Sequence, residues 1–345
     1  MNSKASPTSH STTTEEVVNF LKIKENYPDS PDELEVIETH MSWVFLTDNY
    51  AYKLKKQVIW NSLDLRLPEI RYRNCRDEIR LNKAMAEKVY IGLTPVNILE
   101  TGKLKIGGKG KPVDWLIKMK RLPEDSMLDW ALKHRCLHFP DIRRAAVALA
   151  EYYRRQPSAE WDYHRHQTYL ADEILKVKKE LLSQEYGMPP DLILYITVTL
   201  LRFMKENGEM FEQRINSGKI IEAHGDLKPE HVCLSDPPVF IDCLEFEVTL
   251  KIMDIAEELS YLALGCEMLD SEPTGAYFIK IYKQLANDKI PDTLILFYKC
   301  KQALFRAKFS LWHLKEEKYK NDPKWGKLGE KYLEMARKFV EKLPY

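Results

Sequence analysis

The chain has no excess of either charge: 52 Lys and Arg residues face 52 Asp and Glu. Without a basic surplus, the composition carries no electrostatic footprint for nucleic acid. No uninterrupted apolar run approaches the roughly 18–20 residues of a bilayer span, so no membrane-crossing helix is expected. The opening MNSKASPTSHSTTT lacks the apolar stretch of a secretory signal. Six cysteines (75, 136, 233, 243, 266 and 300) form no CxxC pair and no repeating framework. That pattern argues against a disulfide scaffold and for free thiols in a reducing compartment, with the cytoplasm as the expected location. His224, His231, Cys233 and Cys243 match no zinc spacing. The run Gly107-Gly108-Lys109-Gly110-Lys111 lacks both the GxxxxGK[ST] spacing and a following helix, and reads as a hairpin turn. There is no internal repeat.

Two regions of different character are present. After a Ser/Thr-rich tail at 1–13, expected to be disordered, a short helix is expected at 17–21. The segments 33–38, 42–47 and 50–55 are short and rich in aromatic and β-branched residues, and Asp48-Asn49 supplies a hairpin turn between the last two. Pro68 opens a helix expected to reach about Lys88, and strands are expected at 96–100, 103–106 and 113–119. From 122 onward the signals are helical (126–135, 140–155, 166–185, 190–216 and 254–342), interrupted by two β-like pieces at 231–234 and 239–242. The expected class is α+β, with an N-terminal antiparallel sheet lobe carrying one helix (14–121) and a larger, mainly helical lobe (122–345).

The chemistry concentrates in HGDLKPEHVCLSDPPVFID, residues 224–242. Asp226 sits in a loop, Lys228 follows two residues later, His231 five residues later, and Asp242 closes a short apolar strand. Phosphoryl transfer needs one carboxylate to orient or deprotonate the attacking hydroxyl and another to hold a cation against nucleotide phosphates. The kinase signature H-R-D-L-x-x-x-N followed by D-F-G has the same order and spacing, with a metal-binding Asn where His231 stands. Lys228 is placed to neutralise charge on the transferred group.

With HGDL, FID and the later Asp254, the chain resembles the aminoglycoside-phosphotransferase-like kinases, and more narrowly a bacterial branch of that family. The resemblance runs from ETHMSWVFL and AYKLKK through DEIRLNKAMAEKVY and IKMKRLPEDSML to FIDCLEF. It implies a protein-kinase-like two-lobed fold and transfer of the ATP γ-phosphoryl group to a small-molecule hydroxyl, with Mg²⁺ as cofactor. Asp226 would be the catalytic base and Asp242 a metal ligand. Lys53 would pair with nucleotide phosphates, braced by Glu78, while Met119, Lys120 and Arg121 would form the hinge that holds adenine. Period-two alternation sets Lys53 opposite Tyr52 and Leu54 and ahead of its competitors Lys55 and Lys56. Cys75, Glu78, Ile79 and Asn82 share one helical stripe, which can turn Glu78 inward.

Two departures bear on activity. His231 replaces the family's Asn, so the metal preference shifts toward Mn²⁺, one metal site weakens, or His231 acts otherwise. The turn Thr39-His40-Met41-Ser42 lacks glycine, leaving the Thr39 and Ser42 hydroxyls and backbone N–H groups to meet phosphate. A nucleotide-binding scaffold without turnover is therefore the alternative. A protein kinase is disfavoured because only eleven residues separate Asp242 from Asp254, and a metal-dependent hydrolase is disfavoured further. His224 reads as a loop brace, and Glu245 as either a supporting acid or an exposed loop carboxylate. The basic residues Lys301, Arg306 and Lys308 read either as a solvated face or as a wall for an anionic acceptor.

Overall fold

Phe45, Tyr52 and Leu54 of the first strands are buried in one core, which fixes the register of their pairing. In the computed structural model, which describes residues 12–60 and 63–344, β1 (Glu35–Glu38), β2 (Ser42–Leu46) and β3 (Tyr50–Lys55) form antiparallel hairpins. A short β4–β5 pair (Ile59–Trp60, Leu63–Asp64) precedes helix α2 (Pro68–Ala86). Strands β6 (Tyr90–Ile98), β7 (Leu104–Ile106) and β8 (Lys111–Lys120) complete a six-stranded sheet in the order β1-β2-β3-β8-β6-β7. Helix α1 (Thr14–Leu21) starts with a capping box from Thr13 and Glu16. It packs Val17, Val18 and Leu21 onto Phe45, Tyr52 and Leu54 of the sheet. Most of the tail expected over 1–13 lies outside the described residues.

Strand β6 begins at Tyr90, six residues before the strand expected from Val96. Gly92 and Pro95 obscure the pattern, and the register is irregular between Tyr90 and Gly92. Pro95 keeps a carbonyl bond from the Gly107 N–H at 2.8 Å, just past the end of β7, where a missing N–H is tolerated.

The chain divides into two compact units. The first comprises the residues up to Pro123 together with Ile241–Phe246, and the second comprises Glu124–Phe240 and Glu247 onward. The second unit is mostly helical: α3 (Leu128–Lys133), α4 (Phe139–Arg155), α5 (Tyr163–Leu181), α6 (Pro190–Glu206), α7 (Gly208–Asn216), α8 (Ile255–Met268), α9 (Glu272–Leu285), α10 (Asp292–Trp312) and α11 (Pro323–Val340). The helix expected over 190–216 breaks at Asn207, whose Nδ2 donates to the Phe203 carbonyl at 2.9 Å. Gly208 follows because a Cβ there would lie 2.5 Å from the Tyr163 hydroxyl. The region 254–342 resolves into four helices, with breaks at Asp270 and Asn287, both left-handed, and at Pro291 and Pro323.

Helix α8 is buried on every side, as a central helix must be. Two close approaches depend on its surroundings being small. A Cβ on Gly275 of α9 would meet Ala263 Cα at 2.5 Å, and one on Gly265 would meet Pro229 Cδ at 2.5 Å. The second contact seats the loop that carries Asp226 directly on α8. One short ladder was not expected from the sequence, β9 (Ile220–Glu222) with β12 (Ile252–Asp254), whereas β10 (Val232–Cys233) and β11 (Val239–Phe240), which pair with each other, fall within the β-like pieces expected at 231–234 and 239–242. The first pair is too short to show a period.

Candidate active site

In the first unit a row of lysines meets buried carboxylates. Strand β3 sends Lys53 and Lys55 to the same face, two residues apart. Glu78 of α2 is fully buried and receives both. Lys53 Nζ lies 2.8 Å from Glu78 Oε1 and 2.5 Å from Asp242 Oδ1. Lys55 pairs with the other Glu78 oxygen and with Glu245. Lys56 turns away to Glu38 at 2.6 Å. Burial opposes the charge on Lys53, yet Asp242 and then Glu78 outweigh it and hold the ammonium well above the ordinary lysine range. Burial pushes the Glu245 carboxyl upward against the pull of Lys55. Glu245 is thus buried and paired, which settles its two readings against an exposed carboxylate.

Asp242 adopts φ +62°, a left-handed conformation uncommon for a residue with a Cβ and often found at functional sites. Two side chains hold this kink. The Asp242 N–H donates to Tyr90 Oη at 3.1 Å, and the Cys243 N–H donates to Asn82 Oδ1 at 2.8 Å. Asn82 in turn donates to the Glu78 carbonyl at 2.9 Å. The Asp242 side chain retains 40% exposure, so its carboxylate combines a fixed backbone with solvent access.

The expected phosphate turn is tied internally. Thr39 Oγ1 donates to the Ser42 carbonyl and accepts from the Ser42 N–H, each at 3.0 Å. The Ser42 side chain is buried, with its hydroxyl unpartnered. Met119 lies on β8 between Ala51 and Tyr90. Arg121 closes the β2–β3 turn, its N–H donating to Asn49 O at 2.9 Å and its guanidinium to Thr47 O at 3.0 Å.

In the second unit the Asp226 loop is braced from below. Gly225 takes φ +85°, and its N–H donates to Glu258 Oε1 at 2.6 Å. Tyr153 donates its hydroxyl to the other Glu258 oxygen at 2.6 Å. Fully buried His224 accepts from the Asp226 N–H at 3.3 Å. Lys228 Nζ lies 3.2 Å from Asp226 Oδ2, and Tyr261 donates its hydroxyl to Asp226 Oδ1 at 3.0 Å. His231 Nδ1 lies 2.8 Å from the Asp226 carbonyl oxygen. A carbonyl only accepts, so Nδ1 carries the proton, and in the neutral ring Nε2 bears the lone pair. Burial opposes the Lys228 charge, but Asp226 keeps its ammonium above the ordinary range.

Burial pushes the Glu258 carboxyl up from its ordinary 4.5 to about 7. Below pH 4.5 the group is protonated in both folded and unfolded chains. Between 4.5 and 7 only the folded chain keeps the proton. The stability associated with this group is therefore complete below the unfolded value and is lost as pH rises through about 7. The expected result for Glu258→Gln is a flatter urea midpoint across that window, by on the order of 3 kcal/mol. An unchanged pH slope would remove Glu258 as its source.

A cavity of about 340 Å³ opens beside Lys228, walled by Tyr261, Gly265, Met268, Arg306 and Tyr332. Of the basic residues on α10, Lys301 is buried and neutralised by Glu173 and Glu257, each at 2.6 Å, and only Arg306 reaches this cavity. Tyr90, Asn82, Glu258 and Tyr261 were not singled out from the sequence as site residues. Asn82 gave the one available signal, a polar residue on an otherwise inward stripe, which needs a buried partner.

No protein-family model matches the chain. It is 28% identical over 301 residues to uncharacterised proteins of Mycobacterium bovis and Mycobacterium tuberculosis, covering 80% of this chain and 54% of each relative. The chain thus spans about half the length of the curated relatives it matches. Among solved structures it is similar to the GDP complex of aminoglycoside 2'-phosphotransferase-IIIa, with a TM-score of 0.56 at 14% identity over 93% of this chain and 98% of the other. It is also similar to a choline/ethanolamine kinase family protein from Mesorhizobium loti, with a TM-score of 0.52 at 12% identity over 94% and 95%. The chain has the protein-kinase-like fold of the aminoglycoside phosphotransferases and choline/ethanolamine kinases.

Proposed function

We propose that the chain transfers the γ-phosphoryl group of ATP to a hydroxyl of a small molecule. The observation that carries this reading is the Lys53 ammonium held between buried Glu78 and half-exposed Asp242. A fixed cation beside an accessible carboxylate is what a nucleotide's phosphates and their counter-ion require. Lys53 is assigned to the phosphates and Glu78 to holding Lys53. Met119 and Arg121 are assigned to the adenine-binding strand end, and Thr39 and Ser42 to holding the shape of the phosphate turn, since their N–H groups bond each other's oxygens.

Asp226 orients the acceptor hydroxyl and takes its proton, while Lys228 offsets charge on the group in transfer. Of the groups assigned to a divalent cation, Asp242 of the first unit offers an accessible carboxylate and His231 of the second offers Nε2. Among the described residues no three His, Cys, Asp or Glu side chains gather as a metal cluster. Mg²⁺ needs no such cage, since it takes one or two protein oxygens and completes its shell with phosphate and water. A nitrogen ligand at His231 favours Mn²⁺. When bound, the cation supplies charge neutralisation at the phosphates. Positioning and electrostatics then account for most of the acceleration.

A coupled assay for ADP release over a panel of hydroxyl compounds tests the reading. Acceptor-dependent release above the acceptor-free rate is expected. ATP binding with no acceptor-dependent release from any compound would favour a nucleotide-binding scaffold instead.

A further inference from the structure

The cavity beside Lys228 contains three cations in unequal circumstances. Lys133 is paired with Asp129 at 2.6 Å, four residues back on α3. Lys228 has Asp226 at 3.2 Å and Glu230 at 3.7 Å. Arg306 differs. Its guanidinium donates to the Tyr261 hydroxyl at 3.3 Å and lies 5.6 Å from the centre of the Tyr332 ring. Among the described residues, no carboxylate lies within ion-pairing distance of it. A guanidinium has five donors in a planar fork that matches a carboxylate or phosphate, and here phenol oxygens occupy only part of that fork. The hydrogen-bond partners of Arg306 are phenols, and the Asp226 carboxylate supports its charge only from beyond pairing distance, so the guanidinium keeps capacity for a direct anionic partner.

We infer that Arg306 binds an anionic group of the acceptor, so that the substrate is a small hydroxy compound bearing a carboxylate or phosphate. This rests on the phosphotransfer reading above. Tyr261 sets the spacing: one phenol oxygen donates to Asp226 and accepts from Arg306, so the two groups stand two hydrogen bonds apart. A hydroxyl on Asp226 and an anion on Arg306 must then lie on the same or neighbouring carbons, or a few bonds apart. The cavity, near the lower end of ligand pockets in size, suits a compact molecule. Leu264, Gly265 and Met268 offer its carbon skeleton an apolar wall. In the reaction, the acceptor oxygen bonds to the γ-phosphorus of a nucleoside triphosphate. The bond from that phosphorus to the β,γ-bridging oxygen breaks, and its electron pair leaves with the nucleoside diphosphate. The hydroxyl proton passes to the Asp226 carboxylate.

The test is titration calorimetry of the whole protein with glycerate, glycerol 3-phosphate, glycerol, ethanolamine and inorganic phosphate. At least one of the two hydroxy anions is expected to bind about 10- to 100-fold tighter than glycerol, the range of a charge-assisted hydrogen-bonded pair. Which of the two binds tighter decides between carboxylate and phosphate. Arg306→Gln should erase the preference and Arg306→Lys should keep part of it. If Arg306→Gln does not fold, the wild-type comparison of glycerate with glycerol stands alone. Glycerol or ethanolamine binding as tightly as the anions would overturn the inference, as would a preference that survives Arg306→Gln. Inorganic phosphate matching both hydroxy anions would reduce the site to a simple anion site, and no binding by any probe would also refute it. None of these results touches the nucleotide site, whose own response to ATP on the same protein decides the phosphotransfer reading separately.

Discussion

Replacing Asp226 by Asn is expected to lower turnover by about 10²–10⁴-fold, the range for loss of a general base, with nucleotide affinity unchanged. The substitution keeps the size of the side chain and one oxygen able to accept from Tyr261 or Lys228, while its amide nitrogen can accept from neither. It removes the negative charge that both of those partners face. The loop itself is held by other groups: Glu258 on the Gly225 N–H, His224 on the Asp226 N–H, and Pro229 seated against Gly265. A stable, nucleotide-binding Asp226→Asn protein with low turnover is therefore the expected phenotype. Equal rates for the variant and wild type in the ADP-release assay would remove Asp226 from the role of base.

Replacing Arg214 by Met is expected to cause the largest loss of stability, about 3–5 kcal/mol, because it strands buried charges. Arg214 of α7 donates to both Asp254 oxygens, at 2.9 and 2.7 Å, and to Asp288 at 2.5 Å. Asp254 also caps α8 by accepting from the Ala256 N–H at 2.8 Å, and ends the strand paired with β9. Tyr298 and Tyr282 add hydroxyl donors to Asp254 and Asp288 at 3.3 and 3.0 Å. Without the guanidinium, the carboxylates keep these neutral donors and only a distant Lys219 at 3.7 Å. Urea unfolding measures the loss, and a change below about 1 kcal/mol would place the pair among those whose desolvation cancels their attraction.

The legible parts of the fold were those with local signals. Asp48-Asn49 marked the β2–β3 hairpin, Pro68 the first turn of α2, and the stripe through Cys75, Glu78 and Asn82 its buried face. The breaks inside the long helical stretches were less visible, because Asn207 and Asp270 are tolerated in helices and only tertiary contacts decide that the chain turns there. Asp226, Lys228 and Asp242 stood out through their spacing within nineteen residues. Their supports did not, because each acts across the chain. Glu258 reaches Gly225 over 33 positions, Tyr261 reaches Asp226 over 35, and Tyr90 reaches Asp242 over 152. The sharing of Glu78 by Lys53 and Lys55 follows from strand alternation, which puts both lysines on one face. The sequence could rank those lysines but not show that both meet one carboxylate.

In the function proposed above, the first unit binds a nucleotide with a divalent cation through Asp242. The most direct measurement is a thermal-shift titration with ATP, run with Mg²⁺, with Mn²⁺ and without metal, on wild type and on Asp242→Asn. A ligand that binds only the folded chain raises the melting temperature by mass action. A metal-dependent rise is expected in wild type and its loss in Asp242→Asn. No rise with either metal, or an equal rise in the variant, would contradict this reading.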